Sequence, residues 1–346
     1  MGFEENEISI KANGGTELTK RLLASKLPAD LLENFQIVSS RVRDLDESKI
    51  RIFFAHDLPN DPESAKFADK DERDKFHKFV YVSDWQYSMY QTVLGIPYAT
   101  DSAVIENCIV PFPEHDKPKE GPIRLVYMST PHRGLDVLLA AFKEIEQVVP
   151  DIHLDVFSSF NLYGWENGDA QFEPLFEQCR NHPKITYHGA VDQETLRAHL
   201  LKTHILAYPC TWPETSCRVL MECMSAKVLP VHPNFAALPY TSAGFSYMYQ
   251  GDNDRTKHAG QFYGALLNAI KAIQHPDNVM DGHLQFSKIY ADNRFDVANI
   301  VPRWEALLRN LLQEYPTAES RKFPTPSSQM FSYDTNYRPK RQDRVI

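Results

Sequence analysis

The segment IRLVYMSTPHRGLDVLL, residues 123–139, contains the clearest fold signal in the chain. Its first six residues are mostly aliphatic or aromatic, as in a buried strand. After Gly134, apolar residues recur at helical spacing as far as Val149, and Pro150 follows them. The segment therefore predicts a strand, a short loop and a helix, which together make one βα unit.

The same alternation of strand and helix patterns continues to about residue 275. We predict further strands at 153–157, 185–188, 204–208, 228–231 and 245–249, and helices at 172–179, 194–201, 216–225 and 256–273. This alternation is typical of a parallel sheet with helices on both faces, the α/β class. The N-terminal third is less regular, but it predicts a smaller sheet of the same class, with strands at 36–40, 50–55, 79–83 and 103–106.

A chain of 346 residues exceeds what one hydrophobic core usually fills, which predicts two domains. The stretch PFPEHDKPKEGP at 111–122 combines four prolines with charged residues and predicts a linker. We therefore expect an N-terminal domain at 1–117 and a second domain at 118–293. Apolar residues at helical spacing predict a final helix at 294–315, and we expect this helix to return to the first domain. Residues 316–346 predict a surface tail or a loosely packed strap.

Composition excludes several kinds of protein. The 46 acidic and 37 basic residues give a net charge of −9, which argues against binding nucleic acid mainly through phosphate neutralisation. No apolar run approaches the roughly 18 residues of a transmembrane helix, and the N-terminus lacks a secretory pattern. The five cysteines form no CxxC pair, which favours a reducing compartment. We expect a soluble, cytoplasmic protein without a transmembrane segment.

The segment YPCTWPETSCRVLMECM, residues 208–224, is the most informative about function. It places Glu214 just before a predicted helix start and Glu222 about two turns further along. Helix-start amides bind phosphate, and carboxylates accept hydrogen bonds from sugar hydroxyls, so the pattern predicts a phosphorylated, hydroxyl-rich ligand. The amides at that start belong to Thr215, Ser216 and Cys217. The alternative is that Glu214 only complements the helix dipole and Glu222 is a solvated helix residue.

The E-x7-E spacing of these two glutamates, followed by AKVLPV at 226–231, resembles the signature of GT-B glycosyltransferases of family 4. Further segments resemble motifs of that family in the expected order: GGTE at 14–17, FAHDLP at 54–59, YMSTPHRGLDVLL at 127–139, HGAV at 188–191 and AALP at 236–239. The ordered set covers most of the chain. The resemblance implies two Rossmann-like domains facing a central cleft, with the donor bound mainly to the second domain.

The resemblance also implies roles for the acidic and basic residues. Glu222 would accept hydrogen bonds from the nucleotide ribose, and Glu214 would lie against the donor sugar. Arg133 stands where the family usually has lysine and would neutralise the diphosphate, a role that suits a guanidinium with paired donors. The alternative for Arg133 is an ordinary solvated arginine before a helix.

Other positions follow from the same resemblance. Gly14 and Gly15 would let the first domain approach the donor or acceptor closely, although a Gly-Gly pair is often only a turn. Ser129 and Thr130 lie in the phosphate loop, where hydroxyls and amides would assist Arg133. His56 matches the position that approaches the reacting sugar, and its alternative is a structural histidine held by a loop carbonyl.

The implied reaction is transfer of a hexosyl or pentosyl group from a nucleoside-diphosphate sugar, of UDP or GDP type, to a hydroxyl of a glycan, lipid-linked or protein acceptor. The anomeric configuration would be retained, and no cofactor beyond this co-substrate is expected. Lys227 replaces a usual glycine, and Ser216 and Cys217 replace a usual aromatic and glycine, which leaves the sugar open. A catalytically inactive nucleotide-sugar-binding protein is the main alternative. An NAD-dependent oxidoreductase is disfavoured because no GxGxxG follows a strand.

No metal site is predicted. Three D-x-D patterns, at 44–46, 69–71 and 252–254, are unconnected copies of a carboxylate pair that holds metals in other transferases. The thirteen histidines form no HExxH motif.

Overall fold

The computed structural model describes residues 2–3, 12–39, 44–98, 100–165, 167–275 and 279–323, which form two parallel sheets. The first sheet contains, in spatial order, β1 (Phe35–Val38), β2 (Ile50–Ala55), β3 (Lys78–Tyr81) and β4 (Ser102–Val104). The second contains β5 (Ile123–Met128), β6 (Ile152–Phe157), β7 (Ile185–Tyr187), β8 (Ile205–Ala207), β9 (Leu229–Pro233) and β10 (Tyr247–Tyr249). The two predicted sheets and all ten predicted strands are confirmed, to within about two residues at most ends.

Helices cover both sheets. Those of the N-terminal part are α1 (Gly15–Lys26), α2 (Ala29–Leu32), α3 (Pro62–Ala65), α4 (Lys70–Arg73) and α5 (Asp84–Leu94). The later ones are α6 (Leu135–Val148), α7 (Glu173–Asn181), α8 (Gln193–Leu200), α9 (Arg218–Ser225), α10 (Leu238–Ser242), α11 (Arg255–Gln274), α12 (Val279–Phe295) and α13 (Val297–Glu314). Within the described ranges, no helix has the length and apolar character needed to cross a bilayer.

The strand order of the second sheet positions the site. The order is β10-β9-β8-β5-β6-β7. The chain enters the sheet in the middle at β5, continues through β6 to the edge strand β7, and then adds β8, β9 and β10 on the other side of β5. In such a sheet ligands bind beyond the carboxyl ends of the strands at the point where the direction reverses, here between β5 and β8. The loops that follow these two strands therefore meet at one crevice.

The C-terminal helix α13 packs against the first sheet rather than the second. Its buried residues, which include Trp304 and Leu308, join one hydrophobic cluster with residues of β1, β2 and β3. The backbone amide of Ile109 donates to the carbonyl of Phe295, and that of Val297 donates to the carbonyl of Ile109, both at 2.9 Å. The chain therefore connects the two domains twice, and the two connecting segments lie side by side.

The segment 111–122, which the sequence predicts to be a linker, is partly packed against the second domain. Phe112 is buried in the core of the second sheet, and the Arg197 guanidinium lies 3.7 Å from its ring centroid. Lys117 Nζ donates to the Leu200 carbonyl at 2.7 Å. The prolines keep this segment extended, and its apolar and long basic side chains attach it to the second domain.

The first described residues of the predicted tail are also packed. Arg321 is buried and donates to the carbonyls of Ser48 and Tyr315. The Arg51 guanidinium lies 4.4 Å from the centroid of the Phe323 ring. Residues 324–346, the greater part of the predicted tail, lie outside the described residues.

Candidate active site

A cleft of about 1250 Å³ separates the two sheets and is lined by residues of both. It is larger than the roughly 300–1000 Å³ of most small-molecule sites. A smaller pocket of about 120 Å³ adjoins it on the side of the second sheet and is lined by Glu222, Arg218 and the loop 189–191. The predicted site residues Ser129, Arg133 and Glu214 lie in the cleft wall.

Arg133 and Glu214 form an ion pair where the loops after β5 and β8 meet. Arg133 Nη1 donates to Glu214 Oε1 at 2.8 Å, and the Tyr208 hydroxyl donates to the same oxygen at 2.5 Å. Burial by itself lowers the pKa of Arg133, but the Glu214 carboxylate and then Tyr208 raise it, so that it lies well above its ordinary value. Burial raises the pKa of Tyr208 well above its ordinary value, so the phenol keeps the proton that it donates.

A glycine makes this contact between the two loops possible. Gly134 has φ +117°, and a Cβ there would lie 2.2 Å from the Pro209 carbonyl oxygen. Only glycine accepts both the conformation and the close approach. The Thr211 amide donates to the Arg133 carbonyl at 3.2 Å, which fixes the turn that carries the guanidinium.

Ser129 and Thr130 lie on the same crevice, as expected for a phosphate loop. Ser129 Oγ lies 3.4 Å from the Tyr208 hydroxyl. The Thr130 carbonyl accepts from the Tyr127 hydroxyl at 2.9 Å and from the Arg133 amide at 3.1 Å. The buried Thr130 Oγ1 has no hydrogen-bond partner among the described residues, which leaves a polar atom available at the cleft wall.

The helix after Glu214 begins later than the sequence predicts. Helix α9 starts at Arg218 with Cys217 as its N-cap, so Thr215 and Ser216 precede the helix. Thr215 is held by the first domain: its carbonyl accepts from Ser83 Oγ at 2.6 Å, and its hydroxyl donates to the His56 carbonyl at 2.8 Å. These contacts keep the chain out of the helix at this point, so the predicted set of helix-start amides is wrong for Thr215 and Ser216.

Cys217 is buried at this N-cap position. Burial raises the pKa of its thiol well above the ordinary value, so Cys217 is not a thiolate near neutral pH. The free amides of the first helical turn belong to Cys217 and the three residues that follow it.

Glu222 lies in α9 and pairs with a residue that the sequence analysis missed. Arg218 Nη2 donates to Glu222 Oε1 at 2.9 Å, and Arg218 Nη1 donates to the Cys108 carbonyl. Arg218 lines both the cleft and the smaller pocket. The i, i+4 spacing of the two residues was a visible signal for this pair.

The two glycines of the first domain differ in their surroundings. Gly14 caps α1, and a Cβ there would lie 2.6 Å from the Tyr163 ring. The neighbouring Asn13 amide donates to the Leu162 carbonyl of the second domain at 2.8 Å. Gly15 lines both cavities, and a Cβ there would meet only Arg218, at 3.9 Å. Gly14 therefore allows the domains to approach, while Gly15 leaves room beside the ligand space.

His56 lines the cleft but has partners at both ring nitrogens. Nδ1 lies 3.2 Å from the Phe54 carbonyl oxygen, and Nε2 lies 3.2 Å from the side-chain amide of Asn107. Burial lowers the pKa of His56 to about 4, so the ring is neutral near pH 7. This arrangement fits the structural alternative, except that the carbonyl that holds the ring belongs to Phe54 of strand β2 rather than to a loop.

The D-x-D patterns serve local turns and helix caps. Asp69 accepts from the Asp71 amide at the start of α4, Asp254 accepts from the Thr256 amide at the start of α11, and Asp46 accepts from the Ser48 amide. None of these carboxylates lines the cleft.

A different cluster lies below the smaller pocket, where ligand atoms of Asp155, His188 and His199 come within 4.8 Å of one another. His188 Nε2 is hydrogen-bonded to Asp155 Oδ1 at 2.8 Å, and Arg124 lies 3.6 Å from the other carboxylate oxygen. The Asp155–His188 hydrogen bond supports the loop that lines the pocket.

The sequence of the second domain matches a known family. Residues 112–240 match the sequence model of the glycosyl transferases group 1 family. This segment contains Arg133, Glu214 and Glu222. No curated protein is similar in sequence to the whole chain at a significant level.

Solved structures of glycosyltransferases have the same fold. A glycosyltransferase from Rickettsia africae aligns with a TM-score of 0.64 and 15% identity, over 90% of this chain and 84% of that one. Sucrose-phosphate synthase from Thermosynechococcus elongatus aligns with a TM-score of 0.60 and 14% identity, over 86% and 78%. The pneumococcal O-GlcNAc transferase, crystallised with UDP and GlcNAc, aligns with a TM-score of 0.62 and 12% identity; 85% of this chain aligns and spans 60% of that protein. The fold is GT-B, as the sequence predicts.

Proposed function

We propose that this protein is a glycosyltransferase that moves a sugar from a nucleoside-diphosphate donor to a hydroxyl acceptor. The main support for the proposal is the Arg133–Glu214 ion pair, which lies where the strand order of the second sheet reverses. Arg133 lines the cleft and its side chain is 21% exposed, so the guanidinium can reach a ligand there. The match of residues 112–240 to a glycosyltransferase family and the GT-B fold support the same function.

The smaller pocket, together with the part of the cleft that adjoins it, is proposed to bind the nucleoside. Glu222 would accept hydrogen bonds from the ribose hydroxyls, because an ionised carboxylate is an acceptor and its Arg218 contact occupies only one oxygen. Gly15 and Gly189, both at the pocket wall, leave space close to the backbone for the base.

The diphosphate and the donor sugar are proposed to lie in the adjoining part of the cleft. The Arg133 guanidinium would bind the phosphate oxygens, and the loop residues Ser129 and Thr130 would add donors. The guanidinium stabilises the negative charge that develops on the leaving phosphate. Glu214, fixed by Arg133 and Tyr208, would accept from a sugar hydroxyl and orient the ring.

We propose transfer with retention of configuration and without a protein base. His56 is neutral near pH 7 and both of its nitrogens have protein partners, so its proposed role is to shape the cleft wall rather than to move a proton. The acceptor hydroxyl would attack the anomeric carbon as the bond to the phosphate breaks, and its proton would pass to the departing phosphate oxygen. Closure of the two domains excludes water and limits hydrolysis of the donor.

Thermal shift with UDP, GDP and their sugar derivatives tests nucleotide binding, followed by mass spectrometry of the products with glycan, lipid-linked and peptide acceptors. We expect one nucleotide class to raise the melting temperature. Glu222→Gln should weaken its binding about tenfold, since a hydrogen bond to a charged group is lost. Glu305→Gln, on the exposed face of α13, is the matched control.

Two outcomes separate the alternatives. Nucleotide binding without product for any acceptor would identify a catalytically inactive binding protein of the same fold. Absence of binding to every nucleotide would overturn the proposal. Product anomers assigned by NMR test retention, and turnover in the presence of EDTA tests whether the reaction depends on a metal.

A further inference from the structure

Four rings form a continuous aromatic row along the cleft wall of the second domain. The centroids of Trp165 and Phe160 are 5.8 Å apart, those of Phe160 and His132 are 5.3 Å apart, and those of His132 and Trp212 are 5.3 Å apart. The first three rings are nearly parallel, and Trp212 stands at 83° to His132. All four line the cleft.

The two ends of this row face open space. The Trp165 side chain is 59% exposed and that of Trp212 is 41% exposed, while Phe160 between them is buried. Single exposed aromatic residues are ordinary, but two tryptophans joined through stacked rings at a cleft indicate a ligand surface. Tryptophan offers a large rigid apolar face together with a polar N–H, which suits a ligand that has both kinds of surface.

The inner end of the row touches the proposed reaction site. The Arg133 guanidinium lies 5.7 Å from the ring centroid of Trp212. Arg133 also pairs with Glu214, which is proposed to contact the donor sugar. A molecule that lies on the row and reaches Trp212 is therefore beside the reacting centre.

The opposite wall of the cleft, from the first domain, carries mainly negative charge. Its titratable residues are Glu17, Asp57, Asp61 and Glu63 with Lys20, alongside the neutral His56. Glu63 pairs with Lys66 at 3.4 Å and Asp61 accepts from the Glu63 amide, so part of this negative charge is already compensated. The remaining charge disfavours an anionic acceptor beside this wall, and carboxylates accept hydrogen bonds from hydroxyls. The same charges disfavour a nucleic acid strand, although its bases also stack on aromatic rings.

We propose that the acceptor is a neutral saccharide whose rings lie on Trp212 and Trp165 and whose hydroxyls face the carboxylates of the first domain. The inference rests on the proposed function, since it assigns the acceptor of that same site. One face of a pyranose presents C–H groups that pack on an indole, while the rim of hydroxyls bonds to acidic side chains. The row spans several rings, so an oligosaccharide fits it better than a monosaccharide.

Tryptophan fluorescence and saturation-transfer NMR test this inference on the full chain in saturating UDP or GDP, whichever binds. The probes are maltotetraose, cellotetraose and chitotetraose, with tetragalacturonic acid as the anionic counterpart and a serine-rich peptide as the protein-type probe. We expect a neutral tetrasaccharide to bind at least tenfold more tightly than either of the other two. Trp212→Ala should weaken that binding about tenfold, and Trp165→Ala should weaken it less, because it is further from the centre.

Two further variants keep the result interpretable. Trp212→Tyr retains an aromatic face and should retain most of the binding, and Phe286→Ala removes an exposed ring on α12 and should change nothing. Failure of all neutral tetrasaccharides, or equal binding by wild type and both alanine variants, would overturn the inference while nucleotide binding persists. Loss of nucleotide binding in the wild type would instead overturn the proposed function.

Discussion

The two arginine–glutamate pairs of the site have the same chemistry but different surroundings. Arg133–Glu214 joins loops 81 residues apart, and its side chains are 21% and 12% exposed. Arg218–Glu222 lies within one helix, its side chains are 12% and 5% exposed, and Arg218 also binds the Cys108 carbonyl between the domains. The Arg133–Glu214 pair lies where the strand order of the second sheet reverses, and it is open to a ligand. The Arg218–Glu222 pair is buried by the residues around it. We therefore expect removal of Arg133 to affect mainly turnover and removal of Arg218 to affect mainly stability.

The largest effect is expected for Arg133→Ala. Loss of a guanidinium that stabilises the leaving phosphate should lower kcat about 100- to 1000-fold, with the fold retained. Arg133→Lys keeps the charge but loses the paired donors and should recover part of the rate. Steady-state kinetics with the donor found by thermal shift measure this, and a kcat of Arg133→Ala within threefold of wild type would contradict the assignment.

Arg218→Ala should lower the free energy of unfolding by about 3–5 kcal/mol, because it leaves the buried Glu222 carboxylate without its partner. Urea denaturation measures the change. Arg309→Ala breaks the exposed Arg309–Glu305 pair of the same i, i+4 geometry and should change stability by less than about 1 kcal/mol. If both substitutions lowered the free energy of unfolding equally, the Arg218–Glu222 pair would contribute no more to stability than an exposed pair.

The buried ring of His56 lies where the first domain contacts the loop between the two pairs, since the His56 carbonyl accepts from the Thr215 hydroxyl. The folded-state pKa of about 4 lies below the unfolded value of about 6.5. Between these values the unfolded state binds more protons, so stability falls as the pH drops from 6.5 to 4, by up to about 3 kcal/mol from this residue. In the His56→Asn variant the melting temperature should fall less steeply as the pH drops over that range. If melting temperature fell in parallel for variant and wild type, His56 would not be the cause of the loss.

Tyr208→Phe should have the smallest effect of these substitutions. It tests how much the tyrosine hydroxyl contributes to holding Glu214 in the Arg133–Glu214 pair. It removes the hydroxyl that donates to Glu214 but leaves the Arg133 contact in place. We expect stability to fall by about 1 kcal/mol and kcat/KM to fall severalfold, as for loss of one hydrogen bond. A loss as large as that of Arg133→Ala would mean that Tyr208, rather than Arg133, holds Glu214 in position.

Local sequence patterns predicted much of the site, but they did not predict its contacts. The E-x7-E spacing and the loop after β5 located Glu214, Glu222 and Arg133. The pattern did not show that Thr215 is drawn to Ser83 and His56, which delays the start of α9 to Arg218. The aromatic residues of 157–165 were open to two interpretations, as core residues or as a sugar platform. Their contact with His132 and Trp212 was not visible in the sequence, because the rings of the row come from three separate loops.

The amino-acid sequence by itself determined the α/β class, the positions of the strands and the residue types at the loops, because side-chain periodicity and turn residues act over a few neighbours. Only the tertiary structure decided which of those loops meet. Arg133 reaches Glu214 because β5 and β8 are adjacent in the second sheet. The return of α13 to the first sheet was expected, but its place beside Ile109 follows from backbone hydrogen bonds that the sequence does not show. Strand order and domain contact depend on burial between distant segments, which no local pattern specifies.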